Sequence, residues 1–186
     1  IENWLYVIIG LTFLSGLLGT GHHYYFIGVN KIWLVVGGIF SALEPLAFLG
    51  MALFAVYMYR KGDKSHPNKI ALFWTIGSTI VSFVGAGLLG FAHTLPQTNI
   101  YTHGTLVTAM HGHYAFWGAY AMMVLAIISY ALPNLTGRKR YDSFYGHMAF
   151  WLSNVGMLGM TVAFGVAGVA QVYMERKLKM EFMDVQ

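Results

Sequence analysis

Long apolar runs alternate with short polar connections along the whole chain, and five of the runs meet or approach the roughly 20 residues a helix needs to cross a bilayer. They span Trp4–Thr20, Ile32–Tyr59, Ile70–Ala92, Thr105–Leu132 and Phe144–Met174. The pattern predicts an all-α membrane protein with five transmembrane helices, read as a single transmembrane region over residues 1–186. Glycines recur in the last run at Gly156, Gly159, Gly165 and Gly168, a spacing that predicts close approach to a neighbouring helix.

Composition agrees with a lipid setting: 57% of the residues are hydrophobic and 10% charged, with a mean hydropathy of +0.58. The net charge of +4 could suggest a nucleic-acid partner. The basic residues, however, sit almost wholly in the connections between runs, which is a topology signal and argues against nucleic acid. Arg60–Lys69 and the Pro133–Ser143 loop, with Arg138, Lys139 and Arg140, are therefore placed in the cytoplasm. Gly21–Lys31 and His93–Gly104 fall on the outer side. The tail, with Arg176, Lys177 and Lys179, sits uneasily there because five spans put it outside as well. The chain opens at Ile1 without Met and lacks the layout of a signal peptide, which points to a piece of a longer subunit.

With no cysteine in the chain, thiolate ligation is excluded and the eight histidines become the candidate metal ligands. His111 and His113 lie inside the fourth run, where polar residues are costly and normally functional. Two residues along a helix is a rotation of about 200°, so the two rings leave on nearly opposite faces and cannot readily share one metal. Such a pair serves two groups, one on each side, and Gly112 between them lets a large flat ring approach the backbone. His22 and His23 follow the first run directly after Gly19 and Gly21, whose conformational freedom would let both rings turn toward one ion. Imidazole suits iron and copper alike, so the spacing leaves the metal open.

Glu44 lies mid-span in FSALEPLAF, where a carboxyl group is by default a proton-handling group. Pro45 cannot donate a backbone hydrogen bond, so the carbonyl of Ser41 loses its helical partner one turn from Glu44. His66 and His147 are expected to face solvent at the cytoplasmic side. His93 and His103 flank the outer loop, with His103 the better candidate for contact with a haem edge.

The segments TGHHYYFIG, SALEPLAF, GFAHTLPQTNIYTHGT and HGHYAFWGAY, with the closing FMDVQ, resemble the catalytic subunit of bacterial nitric oxide reductases, a branch of the haem–copper oxidase superfamily. The two histidine motifs identify only the superfamily, while SALEP followed by HTLP and THG points to the branch. The resemblance implies a bundle of twelve transmembrane helices, of which this chain supplies the seventh to the eleventh. It further implies His22 and His23 as ligands of a non-haem iron, His111 as the axial ligand of a high-spin haem b3, and His113 as one axial ligand of a low-spin haem b. Glu44, with Ser41 and Thr94 close by, matches a proton-delivering group, and His103 matches a residue of the haem propionate region. A third histidine and a glutamate for the iron, and the second histidine of the low-spin haem, would come from earlier helices.

The implied reaction joins two NO into N2O in a bacterial inner membrane, with a cytochrome c subunit as electron donor and quinol as the alternative. An oxygen-reducing oxidase, a non-catalytic dihaem cytochrome b and a purely structural membrane subunit are the competing readings.

Overall fold

The computed structural model describes residues 2–62, 68–137 and 143–185. His66 and the basic triplet Arg138–Lys139–Arg140 lie outside the described residues. Five helices are long and apolar enough to cross a membrane: Asn3–Tyr24, Lys31–Lys61, Lys69–Thr94, Leu106–Leu135 and Ser143–Lys177. They match the runs read from the sequence to within a few residues at each end. Among the described residues there is no strand. Large apolar side chains such as Phe13, Ile39, Tyr120 and Val155 stand exposed on the outside of these helices, the inverse of a water-facing surface and the arrangement lipid requires.

Local chemistry explains where the helices start. Asn30 accepts a hydrogen bond from Ile32 N at 3.0 Å, Asn68 from Ala71 N at 3.0 Å, and Thr105 from Val107 N at 3.3 Å. Each side chain satisfies an amide that the first turn would leave without a partner. Gln171, buried on the fifth helix, adds a second cap to the fourth by accepting from Leu106 N at 2.9 Å.

Successive helices pack on one another, and the third, fourth and fifth meet in a core of Ile70, Trp74, Met122, Ala126 and Phe150 toward the basic loops. Two π-helical stretches interrupt the third and fourth helices, Phe83–Leu89 and Trp117–Ala121, and another, Tyr173–Lys177, ends the fifth. The wider turn shifts the backbone register and makes a carbonyl available to a neighbour. The Gly118 carbonyl in one stretch accepts from Ser78 Oγ at 2.6 Å. The Gly85 carbonyl in the other serves the site described below.

Three expectations change. Gly168 does lie on the Leu106–Val107 backbone and Gly165 on Met110, but Gly156 and Gly159 have nothing within 4 Å. Their side of the helix carries no close approach among the described residues. His147 is only partly exposed, its ring edge-on to Phe73 at 4.9 Å, with Nδ1 donating to the Ser143 carbonyl at 2.6 Å. The basic tail, finally, has a partner at the end of the bundle that carries the His93–Gly104 connection, because Arg176 reaches the His103 carbonyl at 3.5 Å.

Candidate haem and metal centre

The first helix ends in a 3-10 turn, Thr20–Tyr24, that carries His22 and His23 with their ring centroids 4.1 Å apart. Gly19 has ordinary right-handed backbone angles, φ −63 and ψ −25, and Gly21 is not among the glycines with positive φ. The two glycines therefore do not supply the conformational freedom expected of them. They supply proximity. A methyl group at Gly21 would come within 2.9 Å of Gly37 Cα, and one at Gly19 within 3.1 Å of Ser41 Oγ, so the turn lies directly against the second helix.

The second helix breaks where Pro45 requires it. One α-helical segment ends at Ser41 and the next begins at Glu44, with Ala42 N and Leu43 N bonding back three residues, to Ile39 O and Phe40 O. At the break the Ser41 hydroxyl, fully buried, lies 2.6 Å from His22 Nδ1 and 3.2 Å from the Gly19 carbonyl. The hydroxyl donates to the Gly19 carbonyl, which leaves its lone pair to accept His22 Nδ1–H, and the same Gly19 carbonyl also bonds the His22 ring. Nε2 of His22 then keeps its lone pair. Glu44 is half-buried between glycines of two other helices: a methyl at Gly19 would sit 3.5 Å from its Oε1, and one at Gly90 would sit 3.8 Å from its Oε2.

His111 arrives from the fourth helix. Its Nδ1 donates to the Gly85 carbonyl in the π-helical stretch of the third helix at 3.0 Å, which again leaves the lone pair on Nε2. A methyl at Gly90 would lie 3.1 Å from His111 Cε1, so the glycine makes room for the imidazole as well as for Glu44. His113 faces elsewhere. Its Nδ1 donates to Ala109 O at 2.8 Å, and its ring stands edge-on to Phe164 of the fifth helix at 5.5 Å. The two histidines thus address different neighbours, the third helix and the fifth, while a Cβ added at Gly112 between them would meet nothing within 4 Å beyond its own helix among the described residues.

Thr94 is buried at the end of the third helix; its hydroxyl donates to Phe91 O at 2.8 Å, and its carbonyl accepts from Tyr25 OH at 2.7 Å. Tyr25 thereby fastens the turn after His23 to the third helix. His103 is stacked on Phe26, with centroids 4.0 Å apart. The residue that the sequence undervalues is His93, whose ring stacks on His111 at 5.6 Å and bonds Thr108 Oγ1 through Nε2 at 3.0 Å. His22, Ser41, Glu44, Thr94, His93 and His111 come together from the first four helices, with His23 beside them.

Two comparisons bear on this geometry. The family described as Cytochrome C and Quinol oxidase polypeptide I matches residues 1–186. The chain belongs to that family. It is also similar to a nitric oxide reductase subunit from Stutzerimonas stutzeri, 49% identical over 183 residues, a match covering 95% of this chain and 38% of the relative. The chain thus spans well under half the length of that protein.

The family is one of multi-helix membrane oxidoreductases, and the haem and metal chemistry it implies fits the donors present. His22, His111 and His113 each give Nδ1–H to an oxygen and keep Nε2 available, the arrangement by which second partners orient a metal-binding imidazole. Among the described residues no three His, Cys, Asp or Glu side chains are grouped to hold one ion.

Proposed function

We propose that the chain forms the part of a nitric oxide reductase catalytic subunit that bears the axial ligand of a high-spin haem, one ligand of a low-spin haem and two ligands of a non-haem iron. The carrying observation is the convergence of His22, Glu44 and His111 around Gly19 and Gly90, with His113 turned to the opposite neighbour. The 49% identical relative, named as a nitric oxide reductase subunit, supports this reading over that of an oxygen-reducing oxidase.

In this reading His111 is the ligand of haem b3, His113 that of haem b, and His22 with His23 hold the non-haem iron. When bound, these groups supply the redox chemistry by which two NO, two electrons and two protons give N2O and water. The chain's own residues do the rest. His22 and His111 are fixed in rotation by Ser41 and the Gly85 carbonyl, so neither ring has to reorganise as charge changes at the centre. Glu44, at the helix break, holds a proton at its carboxyl group beside His111, with Ser41 and Thr94 on the flanking segments. His103, on the outer side, serves the haem propionate region. Electrons come from a cytochrome c subunit at the outer face of a bacterial inner membrane, with quinol the alternative donor.

The test uses the full-length subunit in its native complex. Iron without copper, together with NO consumption and N2O release, is the expected result. Stoichiometric copper with oxygen consumption and no NO turnover would identify an oxidase instead. Retention of all non-haem metal after exchange of both His22 and His23 for Ala would leave only an electron-carrying dihaem protein.

A further inference from the structure

The sequence suggests Ser41 as a companion of Glu44 in proton delivery, and its hydrogen bonds assign it different work. The hydroxyl is fully buried and both of its sides are occupied: its proton is directed to the Gly19 carbonyl at 3.2 Å, and its lone pair faces His22 Nδ1 at 2.6 Å. A hydroxyl so held is a poor carrier of mobile protons, since passing one on requires it to release Gly19 and turn. It is well suited to fix an imidazole. Donation of Nδ1–H to Ser41 selects the tautomer whose lone pair is on Nε2, and it fixes the ring's rotation. The position is conditioned by the fold, because the break before Pro45 ends the helix at Ser41, and the lack of a side chain at Gly19 lets the turn of His22 approach.

We propose that Ser41 is a positioning residue for His22, holding the Nε2 tautomer that binds the non-haem iron, and that it is not a member of the proton path. This rests on the reading of His22 as an iron ligand given above. Loss of such an outer hydrogen-bond partner typically weakens metal binding by about 10–100-fold.

The experiment uses the full-length holoenzyme and measures non-haem iron per haem as a chelator is titrated, alongside the haem spectra. In Ser41→Ala the chelator concentration that removes half of the non-haem iron should fall by about ten-fold or more, with both haems retained. In Ser41→Thr, which keeps the hydroxyl, iron should be held more tightly than in the Ala variant. Wild-type iron retention in Ser41→Ala with slowed turnover would overturn the inference and return Ser41 to the proton path. Loss of haem in proportion to iron would also overturn it, by making Ser41 a residue of folding only. His22→Ala separates the two levels of the argument. If it keeps its iron, the functional reading fails; if it loses iron while Ser41→Ala does not, only the present inference fails.

Discussion

His93 and His111, which come from different helices, stack with their ring centroids 5.6 Å apart and their planes 29° from parallel. The short helix Pro96–Thr102 reverses the chain between them. Its last residue completes the clamp: Thr108 Oγ1 donates to Thr102 O at 3.0 Å, which leaves it to accept from His93 Nε2 at 3.0 Å. Asn99 of the same short helix donates to His93 O at 2.6 Å. One face of His111 is therefore covered by a ring that is itself held at both its backbone and its imidazole.

That cover predicts a selective effect. His93→Ala removes a stacking contact worth about 1 kcal/mol and opens the side of His111, whereas His93→Phe keeps the ring and loses only the ring-nitrogen bonds to Thr108 and Thr102. In the full-length protein the Ala variant is expected to alter the CO-binding spectrum of the haem on His111 and leave the haem on His113 unchanged, with the Phe variant closer to wild type. An unaltered CO spectrum in His93→Ala would show that the stack plays no part in holding His111.

Glu44→Gln keeps the shape that fits between Gly19 and Gly90 but cannot exchange a proton. Haem spectra should stay nearly intact while NO turnover drops, by about 100-fold if Glu44 is the group that passes protons in the slow step. Stopped-flow NO consumption measures it. Unchanged turnover removes Glu44 from the mechanism.

Gly85 and Gly112 make opposite predictions from the same substitution. A methyl group at Gly85 would stand 2.8 Å from the backbone of Tyr114 and Ala115, atoms that cannot move without parting the third and fourth helices. Gly85→Ala should cost about 1–3 kcal/mol in thermal stability and weaken the haem on His111, whose Nδ1 depends on the Gly85 carbonyl. Gly112→Ala meets nothing within 4 Å beyond its own helix among the described residues, so the fold should be as stable as wild type. Haem content is its readout: a drop with unchanged melting of the haem-free protein places a haem plane against Gly112, and full haem content excludes it.

The legible part of this molecule is that governed by short-range physics. Span lengths follow from hydropathy, and the break between Ser41 and Glu44 from Pro45. What depends on contact between distant segments is hidden from a reading along the chain. Gly19 and Gly21 invite an argument from backbone freedom, but their angles are ordinary and the space they leave is filled by the second helix. His93 looks like a loop residue because nothing local shows that the chain folds back over it. The Phe83–Leu89 π-helical stretch leaves no mark in composition, yet it presents the carbonyl that orients His111. In Gly156 and Gly159 a real packing motif meets no partner among the described residues.

The division of labour proposed for His111 and His113 can be tested most directly. His111 gives its Nδ1–H to the third helix at Gly85, on the side of His22 and Glu44; His113 gives its own to Ala109 and lies against Phe164 of the fifth helix. Exchange of His113 for Ala should abolish the low-spin haem and its reduction by the donor, while the haem on His111 remains. Exchange of His111 should do the reverse. A haem held by two imidazoles has no open position and does not take up CO, so CO binding should survive in the His113 variant and vanish in the His111 variant. Spectra of the reduced, CO-treated full-length proteins read both outcomes at once. Loss of CO binding in the His113 variant with the low-spin spectrum retained would invert the assignment, and the Gly85 carbonyl would then orient the low-spin ligand.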